Sequence, residues 1–510
     1  MVVRAYTGTV AGIGATEVAV EVSITGGGLG LFLVGLPDNA VRESEQRIRS
    51  AFENTGFRMT SRKCVVSLAP ADLRKEGSGF DLPIAVAILA ATNQIVAEPL
   101  SQAWFVGELS LDGAIRGVRG VLPIAAEARA RGFKRIYVPK ENVLEAAVVE
   151  GIEVLGVERL VDVAASINGE KIIEPQCSEP QQFNDEQLYV DDFADVKGQR
   201  HAKRALEIAA AGGHNVIMIG PPGSGKTMLA RRMPSIMPPM TLDEALESTK
   251  IHSVAGKLGA TRGLMSHRPF RAPHHLASPM ALIGGGNTPQ PGEVSLAHNG
   301  VLFLDEMPEF GHAVLEVLRQ PMEDKKITIS RVRYSVEYPS NFTLIGSMNP
   351  CPCGYYNHPE KECSCTSASV RRYMGRISGP LMDRIDLHVE VTPVTREELF
   401  SEQRSESSAS IRERVIRARE IQAERFKGTG IYTNTMMTSS MLRTLCPLSA
   451  DVRRLLDSAM ERLQLSARAY DRIIKVARTI ADLEGAPQIT IPHISEAITY
   501  RSLDRESWGR

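Results

Sequence analysis

The sequence is poor in several features that define specialised classes of protein. Aromatic residues make up only 5% of the 510 residues, so the cores are expected to be aliphatic. Lysine and arginine (59 residues) almost balance aspartate and glutamate (60 residues), and the formal net charge is −1. Without a global positive field, the chain is not expected to coat DNA, although local basic strips can still bind nucleic acid.

Long apolar runs and disulfide patterns are also lacking. The longest apolar run, Leu82 to Ala91, is far shorter than the ~20 residues that a membrane-spanning helix needs. The first residues lack the charged-then-apolar pattern of a signal peptide. Seven cysteines in 510 residues do not make a disulfide scaffold. We therefore expect a cytoplasmic protein with no membrane partner.

The length suggests about three domains, and the patterning indicates where they lie. Residues 1–168 alternate strand-like and helical segments and are expected to form one α/β unit. Residues 169–190 are polar and contain two prolines, which is typical of a linker. An α/β core is predicted over residues 191–395 and a charged, helical region over residues 396–510.

Individual elements can be predicted within these regions. Val18–Ile24 and Leu29–Val34 are expected to be strands joined by a glycine turn, and Val41–Thr55 an amphipathic helix. Leu82–Thr92 is predicted to be a buried helix or strand, because both explain its apolar run. Ile411–Phe426 carries charges of mixed sign, which favours a solvated helix over a DNA-binding arm.

The second unit contains a phosphate-binding loop. The apolar strand Val216–Ile219 runs into Gly-Pro-Pro-Gly-Ser-Gly-Lys-Thr, which matches Gly-x4-Gly-Lys-Thr, and a helix follows. Backbone N–H groups and a helix N-terminus bind phosphates in such loops. Lys226 is expected to reach the β and γ phosphates of ATP, and Thr227 to ligate Mg²⁺. The predicted nucleotide-binding residues are Gly220, Pro221, Pro222, Gly223, Ser224, Gly225, Lys226 and Thr227.

Two further apolar strands end in polar residues. Gly300–Leu304 is followed by Asp305, the expected magnesium partner, and by Glu306, which could polarise the water that attacks the γ phosphate. Thr343–Met348 is followed by Asn349, which either orients that water or caps a turn. Together with the phosphate-binding loop, these residues predict a magnesium-dependent ATPase.

Four cysteines cluster in residues 351–365 of the predicted core. They form two Cys-x-Cys pairs: Cys351, Cys353, Cys363 and Cys365. Four thiolates can close a tetrahedral Zn²⁺ site of the structural kind. The alternatives are a disulfide pair, which a reducing compartment disfavours, and replacement of one sulfur by His358. We predict a structural zinc site without a catalytic role.

Four blocks of the sequence resemble a known family. They are Gly220–Thr227, Arg268–His275, Pro291–Glu306 and Gly379–Asp386, and the resemblance extends over essentially the whole chain. In these blocks the chain is similar to the YifB/ComM proteins, which are magnesium-chelatase-like AAA+ ATPases of bacteria. The resemblance implies an AAA+ P-loop core with a parallel sheet, a C-terminal helical lid, and a homo-hexameric ring with ATP bound between subunits.

The resemblance also implies roles for individual residues. Asn349 matches the first sensor, and Arg384 matches the arginine finger that enters the neighbouring subunit's site. Arg468 matches the second sensor on the lid helix, with Arg472, one helical turn away, as its rival. The predicted catalytic set is Lys226, Asp305, Glu306, Asn349, Arg384 and Arg468.

A hairpin before the first sensor is a further implication of the resemblance. It would extend over Lys326–Tyr338, with Arg331 and Arg333 on one face of its tip. Hairpins of this kind point into the pore in ring helicases of similar build. These two arginines are therefore expected to contact DNA phosphates, and the alternative is a basic tip exposed to water.

The N-terminal unit resembles the proteolytic domain of Lon, an α/β fold of the S5 type. The similar segments are Ser67–Pro83 and Val106–Gly117. Matching them places Gly79 at the serine position of the catalytic dyad and Leu122 near the lysine position, with Ser78 one residue off. Loss of both the nucleophile and the base argues against proteolysis, and a fold kept for assembly or DNA binding is expected.

The leading expectation is a DNA-translocating motor. The resemblance implies a helicase that drives branch migration of recombination intermediates during natural transformation. Its partners would be branched or single-stranded DNA and, further, recombination proteins. The alternatives are a magnesium-chelatase-type chaperone that inserts a metal into a porphyrin and an ATP-dependent protease. Stimulation of ATP turnover by DNA favours the helicase, whereas stimulation by porphyrin and a partner subunit favours the chelatase.

Overall fold

In the computed structural model, the chain forms two units, each built from three separate stretches of sequence. The structure describes residues 2–26, 28, 30–176, 191–259, 263–286, 289–331, 334–358, 360–395, 398, 400, 405–463 and 465–501. The first unit combines Met1–Phe183, Leu242–Met265 and Ser330–Tyr338. The second unit combines Asn184–Thr241, Ser266–Ile329 and Pro339–Arg510. Most of the expected linker, residues 177–190, lies outside the described residues, and the predicted domain boundaries stay a prediction.

A seven-stranded mixed sheet organises the first unit, in the order β3-β4-β2-β1-β5-β8-β9. Its strands are β1 (Val2–Ala11), β2 (Gly14–Thr25), β3 (Gly30–Val34), β4 (Lys63–Ala69), β5 (Ala103–Phe105), β8 (Arg135–Pro139) and β9 (Glu153–Val157), and β6 (Glu108–Leu109) pairs with β7 (Ile115–Arg116). β2 pairs antiparallel with β1 and β4, whereas β5, β8 and β9 continue in parallel.

Helices flank this sheet and supply its aliphatic core. The α-helices are Asn39–Arg42, Ser44–Thr55, Asp81–Ala91, Val121–Ala130, Val143–Ala146, Leu160–Ile167 and Leu242–Val254, and the 3-10 helices are Ser78–Phe80, Glu98–Gln102 and Lys140–Asn142. Every residue of Asp81–Ala91 except the last is buried, and all the residues after Asp81 are apolar. Leu242–Val254 joins this unit through Ser253, whose hydroxyl donates to the buried carboxylate of Glu145.

Three local predictions for the first unit need refinement. The segment Leu82–Thr92, predicted as helix or strand, is a helix. The helix predicted over Val41–Thr55 is interrupted at Glu43, where a first short helix ends before Ser44 begins the next. β2 and β3, predicted as strands joined by a turn, are not neighbours, because β4 lies between them.

A five-stranded parallel sheet organises the second unit, in the order β11-β14-β17-β10-β18. Its strands are β10 (Val216–Ile219), β11 (Phe270–Arg271), β14 (Val301–Leu304), β17 (Thr343–Met348) and β18 (Leu387–Glu390). β10, β14 and β17 are buried at every residue, as expected for strands of a parallel sheet covered on both faces. Two separate pairs are β12 (Gly284–Gly285) with β13 (Gln290–Pro291) and β15 (Lys326–Arg331) with β16 (Tyr334–Pro339), and residues Ser330–Tyr338 of the latter pair are assigned to the first unit.

The helices of the second unit fall into two groups. Those associated with the sheet are Arg200–Gly212, Lys226–Ile236, Pro279–Ile283, Glu293–Leu296, His312–Glu316, Arg319–Asp324, Ser367–Met374 and Gly379–Met382, with 3-10 helices Phe193–Asp195 and Met307–Glu309. The C-terminal group consists of Ser408–Arg425, Ser439–Leu445, Ala450–Leu463, Ala467–Leu483 and Ile491–Thr499, with the 3-10 helix Asn434–Met436. Side-chain hydroxyls cap several of these helices: Ser407, Thr438 and Ser466 each accept a backbone N–H three residues on.

These elements confirm the predicted fold class, an α/β protein with a parallel-sheet core and a helical C-terminal region. One aliphatic core joins the sheet, the alanine-rich helix Arg200–Gly212 and the C-terminal helices. None of the helices in the described ranges combines the length and the apolar character that crossing a membrane requires. The cytoplasmic location stays a prediction.

Candidate functional site

The candidate nucleotide site lies where three adjacent strands of the second unit end. β17 pairs in parallel with β14 on one side and with β10 on the other. The residues that follow these strands are therefore neighbours at the carboxyl edge of the sheet, which is where ligands bind in open α/β sheets. They are Gly220 after β10, Asp305 after β14 and Asn349 after β17.

The phosphate-binding loop is held tightly at its first residue. The Gly220 N–H donates a 3.2 Å hydrogen bond to the Met348 carbonyl, which fixes the loop to β17. A Cβ at Gly220 would lie 2.1 Å from the carbonyl oxygen of Val391, so only glycine fits there. At the other end, Gly225 has φ +89° and begins the helix Lys226–Ile236. The N-terminus of that helix thus faces the loop, as phosphate binding requires.

Lys226 is buried and surrounded by oxygens. Its Nζ donates to the carbonyls of Gly220 (2.7 Å) and Pro221 (2.9 Å) and to Oδ1 of Asn349 (3.3 Å). Burial lowers the pKa of Lys226, and the nearby carboxylates of Asp305 and Glu306 act in the opposite direction. Neutral carbonyls are weaker partners for an ammonium than anionic oxygens are. A phosphate in the loop can therefore replace these carbonyls as the partner of Lys226.

Asp305 lies between two hydroxyl groups. The Thr227 hydroxyl donates a 2.8 Å hydrogen bond to Oδ2 of Asp305, and the Ser347 hydroxyl donates to Oδ1. Mg²⁺ prefers oxygen ligands and keeps several waters when it binds beside phosphates. The hydroxyl of Thr227 and the carboxylate of Asp305 therefore fit a magnesium ion shared with a nucleotide.

Glu306 is exposed and has a defined neighbour. Its backbone adopts φ 51°, and the Nδ1 atom of His275 lies 3.6 Å from its Oε2 atom. His275 was not expected to be a site residue. Its only signal in the sequence is its place in the Arg268–His275 block, which carries the family resemblance.

Asn349 connects the nucleotide site to the cysteines. Besides contacting Lys226, it places its backbone beside the phenol of Tyr373, a buried residue of the helix Ser367–Met374. Burial raises the pKa of Tyr373 to about 12, and the Asn349 backbone acts in the opposite direction. Cys351, two residues after Asn349, is fully buried.

The four cysteine sulfurs converge in space. The three Sγ–Sγ distances among Cys351, Cys353 and Cys363 are 3.3, 3.7 and 3.5 Å, and the sulfur of Cys365 completes a group that lies within 4.8 Å. Tetrahedral zinc with Zn–S bonds of ~2.3 Å would place its sulfurs about 3.8 Å apart. The arrangement therefore fits the predicted ion. Among the described residues, the convergent group consists of these four thiols and does not include His358, whose Nδ1 atom accepts hydrogen bonds from the backbone of Glu360 and Lys361.

Arg384 lies away from the phosphate-binding loop of its own chain. It precedes β18 at the amino edge of the sheet, whereas the loop follows β10 at the carboxyl edge. Its guanidinium is largely buried, donates to the Pro380 carbonyl at 2.6 Å and pairs with Glu323 at 2.5 Å. The structure therefore does not bring Arg384 together with Lys226 in one chain.

The two rivals for the second sensor differ in their contacts. Arg468 is exposed in the first turn of the helix Ala467–Leu483. Arg472, on the same helix, donates a 2.7 Å hydrogen bond to the buried carboxylate of Asp386. Burial acts to raise the pKa of Asp386, but Arg472 and His214 outweigh it and hold that pKa well below its ordinary value. Arg472 is thus held in an ion pair with a buried carboxylate, whereas the side chain of Arg468 is exposed and can contact a ligand.

The predicted DNA contacts are described only in part. Arg331 ends β15, and its side chain is not described. Arg333 lies outside the described residues. The role of both arginines stays a prediction.

The positions that match the Lon dyad have an apolar environment. A Cβ at Gly79 would lie 3.5 Å from a methyl carbon of Val106 and 3.8 Å from one of Val118. Leu122 is buried, and the Ser78 hydroxyl donates to the carboxylate of Glu108. No lysine occupies the position of the base, so the geometry does not form a serine–lysine nucleophile there.

Comparison with known proteins matches the chain to magnesium-chelatase families along its length. The matching family models are "Subunit ChlI of Mg-chelatase" over residues 20–142, "Magnesium chelatase, subunit ChlI" over residues 192–399, and "Magnesium chelatase, subunit ChlI C-terminal" over residues 405–501. A shorter match, 30% identical over 189 residues and 31% of this chain, is to Lon protease 2 of Bacillus subtilis.

Two full-length relatives are more similar. Competence protein ComM of Haemophilus influenzae is 44% identical over 499 residues, which cover 97% of this chain and 96% of that protein. The uncharacterized protein YifB of Salmonella typhimurium is also 44% identical, over 98% of this chain and 97% of its own length. The chain therefore belongs to the YifB/ComM family of magnesium-chelatase-like AAA+ proteins.

Proposed function

We propose that this chain is an ATP-driven DNA motor that acts as a homo-hexameric helicase and drives branch migration of recombination intermediates. Membership in an AAA+ family indicates an ATPase. The observation that carries the proposal is the meeting of the phosphate-binding loop, Asp305–Glu306 and Asn349 at the ends of three adjacent parallel strands.

Each residue at this edge of the sheet has a separate role in ATP hydrolysis. Lys226 exchanges its carbonyl partners for the β and γ phosphates, and Asn349, which already contacts Lys226, orients the attacking water. Glu306, exposed beside Asp305, polarises that water for in-line attack. Mg²⁺, when bound by Thr227 and Asp305, neutralises charge on the phosphates.

Arg384 completes the site in a second copy of the chain. Its place at the amino edge of the sheet excludes it from the phosphates of its own subunit, and this supports its action on a neighbour. An arginine supplied in trans stabilises charge on the transferring phosphoryl group. Each interface of a ring would then contain one complete site.

DNA is the proposed substrate along which the motor moves. The support is the similarity to a protein named for competence, over nearly the full length of both chains, and the basic hairpin implied by the family resemblance. Natural transformation requires incoming strands to be paired with and exchanged into a duplex. A ring that moves arginine-bearing loops along one strand performs that exchange.

Strand displacement tests this proposal. Purified full-length protein is incubated with ATP and forked or four-way DNA, beside the Lys226→Ala variant, and product strands are measured on a native gel. We expect ATP-dependent separation by the natural chain and none by the variant. The DNA-motor proposal would be rejected if DNA did not change the rate of ATP turnover and neither substrate were separated into strands.

A metal-insertion chaperone is the alternative, because the matching family models are named for a magnesium chelatase subunit. Porphyrin and a partner subunit should then stimulate ATP turnover, and DNA should not. An ATP-dependent protease is less well supported, because the dyad positions hold Gly79 and Leu122. Degradation of casein with ATP would revive it.

A further inference from the structure

We propose that the four-cysteine insert, residues 351–365, is a positioning element of the nucleotide site, so that metal binding by its thiols and nucleotide binding by the phosphate-binding loop are energetically coupled. This inference rests on the nucleotide site of the proposed function. It gives the insert a role in ATP binding in addition to that of a structural zinc site.

The insert is joined to the nucleotide site directly through the chain, because Asn349 and Cys351 are only two residues apart. Asn349 follows β17 and has its Oδ1 atom 3.3 Å from Nζ of Lys226, and Cys351 comes two residues later. Cys351 is fully buried and contributes its sulfur to the convergent group. A shift of Cys351 therefore shifts the side chain that contacts Lys226.

The second contact joins the insert to the phosphate-binding loop. Gly354, one residue after Cys353, is buried with φ +84°, and its N–H donates to the Cys351 carbonyl at 3.0 Å. A Cβ at Gly354 would lie 2.6 Å from Cδ of Pro222, closer than real Cβ contacts allow. The backbone of the insert thus packs directly against the proline ring of the loop.

The third contact comes from the end of the insert. Thr366, the residue after Cys365, caps the helix Ser367–Met374 by accepting the Ser369 N–H. Tyr373 on this helix is buried, and its phenol lies beside the backbone of Asn349. The start, the middle and the end of the insert thus each lie beside Asn349 or the phosphate-binding loop.

A metal ion is needed to hold these contacts together. The described residues between Met348 and Ser367 form turns and bends but no helix or strand, so backbone hydrogen bonds alone give the insert little rigidity. Thiols bound to one ion become a rigid cross-link, and metal binding by such loops is coupled to their folding. Without the ion, Gly354 and Asn349 would lose their fixed places beside Pro222 and Lys226.

Thermodynamic reciprocity provides the test. If the metal tightens nucleotide binding by some factor, the nucleotide tightens metal binding by the same factor, typically about 5- to 150-fold. Zinc-loaded full-length protein is mixed with a chromogenic chelator, with and without ADP, and zinc transfer is followed by absorbance. We expect one zinc per chain and at least about fivefold lower apparent zinc affinity without ADP. In Lys226→Ala, ADP should have no effect on zinc transfer.

A second variant tests the contact between Gly354 and Pro222 without removing any metal ligand. Gly354→Ala keeps all four thiols but adds a methyl group against Pro222. Gly428→Ala is the matched control, because Gly428 has φ +77° and nothing lies within 4 Å of its Cβ position. We expect Gly354→Ala to retain one zinc and to bind a fluorescent ADP analogue at least about fivefold more weakly. Gly428→Ala should bind both as the natural chain does.

The outcomes distinguish this inference from the proposed function. Equal zinc affinities with and without ADP, or a chain that binds no zinc, would overturn the coupling even if DNA strands are separated. Coupling without strand separation would overturn the motor alone. Failure to bind any nucleotide would overturn both.

Discussion

The Nδ1 atom of His275 lies 3.6 Å from the Oε2 atom of Glu306, the residue proposed to polarise the attacking water. His275 follows β11, which is the neighbour of β14 in the sheet, so the contact spans two adjacent strand ends. The imidazole thus competes with water for the Glu306 carboxylate.

Removal of this imidazole should release Glu306. When the imidazole is protonated, this contact is a partly exposed ion pair, which is worth about 0.2–1 kcal/mol. We therefore expect His275→Ala to raise kcat for ATP in the absence of DNA by up to about fivefold, with the nucleotide Kd unchanged. His274→Ala is the control, since the Nδ1 atom of His274 accepts the Leu276 N–H instead. A kcat at or below that of the natural chain would contradict the proposed competition.

Nucleotide binding and hydrolysis should separate in two variants. Lys226→Ala removes the ammonium that is expected to contact the phosphates, so binding of a fluorescent ATP analogue should be lost. Glu306→Gln keeps the shape of the side chain but not its basicity. It should bind ATP normally while kcat falls by about 10²–10⁴. Normal turnover by the Glu306 variant would remove this residue from the mechanism.

Sites shared between subunits can be tested by mixing variants. Arg384→Ala alone should lower kcat by about 10³–10⁵, the range for an arginine finger. Arg384→Ala chains mixed with Lys226→Ala chains should recover part of the ATP turnover, because some interfaces then combine an intact loop with an intact arginine. The same mixture should recover nothing if each chain hydrolyses ATP alone.

The two arginines of the lid helix should differ in phenotype. Arg468→Ala removes an exposed side chain, so it should lower ATP turnover and leave the Tm within a few degrees of that of the natural chain. Arg472→Ala leaves the Asp386 carboxylate buried without its cation. It should therefore lower the Tm clearly. The reverse pattern, measured by thermal denaturation and ATP turnover, would make Arg472 the second sensor.

The Asp386 carboxylate should make a stability contribution that depends on pH. Its folded-state pKa is depressed below the unfolded value of about 3.9, so the contribution is complete above about pH 5 and is lost as pH falls through the folded pKa. Asp386→Asn should cost about 3–5 kcal/mol at neutral pH, as expected for one broken partner of a buried pair.

The matched control for Asp386 is a surface pair. Asp451→Asn breaks the exposed contact with Arg454, where the two side chains are 66% and 79% exposed. Urea denaturation at pH 7 should show little change for this variant. Equal losses of unfolding free energy for the two variants would show that Asp386 has no special role in the interior.

The nucleotide site was largely predictable because its residues stand in short, local patterns. The spacing of Gly220–Thr227 and the strand that precedes it fix the loop with little help from distant residues. Asp305 and Asn349 each follow an apolar run, and parallel strands place their ends at one edge. The sequence therefore indicated the residues, and the parallel pairing of the strands explains why they meet.

Non-local contacts were not predictable in the same way. The insertion of β4 between β2 and β3 depends on strand pairing, which local patterns do not encode. The contact of His275 with Glu306 joins two residues that are far apart in the sequence and follow different strands. The contact of Arg472 with Asp386, which distinguishes it from Arg468, likewise depends on how the lid helix packs on the core.

The segmented composition of the two units has a practical consequence for fragments of this protein. Each unit is built from three separate stretches, so the chain passes between them five times. A fragment that begins after the expected linker would retain Leu242–Val254 but lose Glu145, the partner of Ser253. The apolar residues that this helix buries, Ile251 and Val254 among them, would then face water and favour aggregation. Neither half of the chain is a self-contained module that a single cut could release.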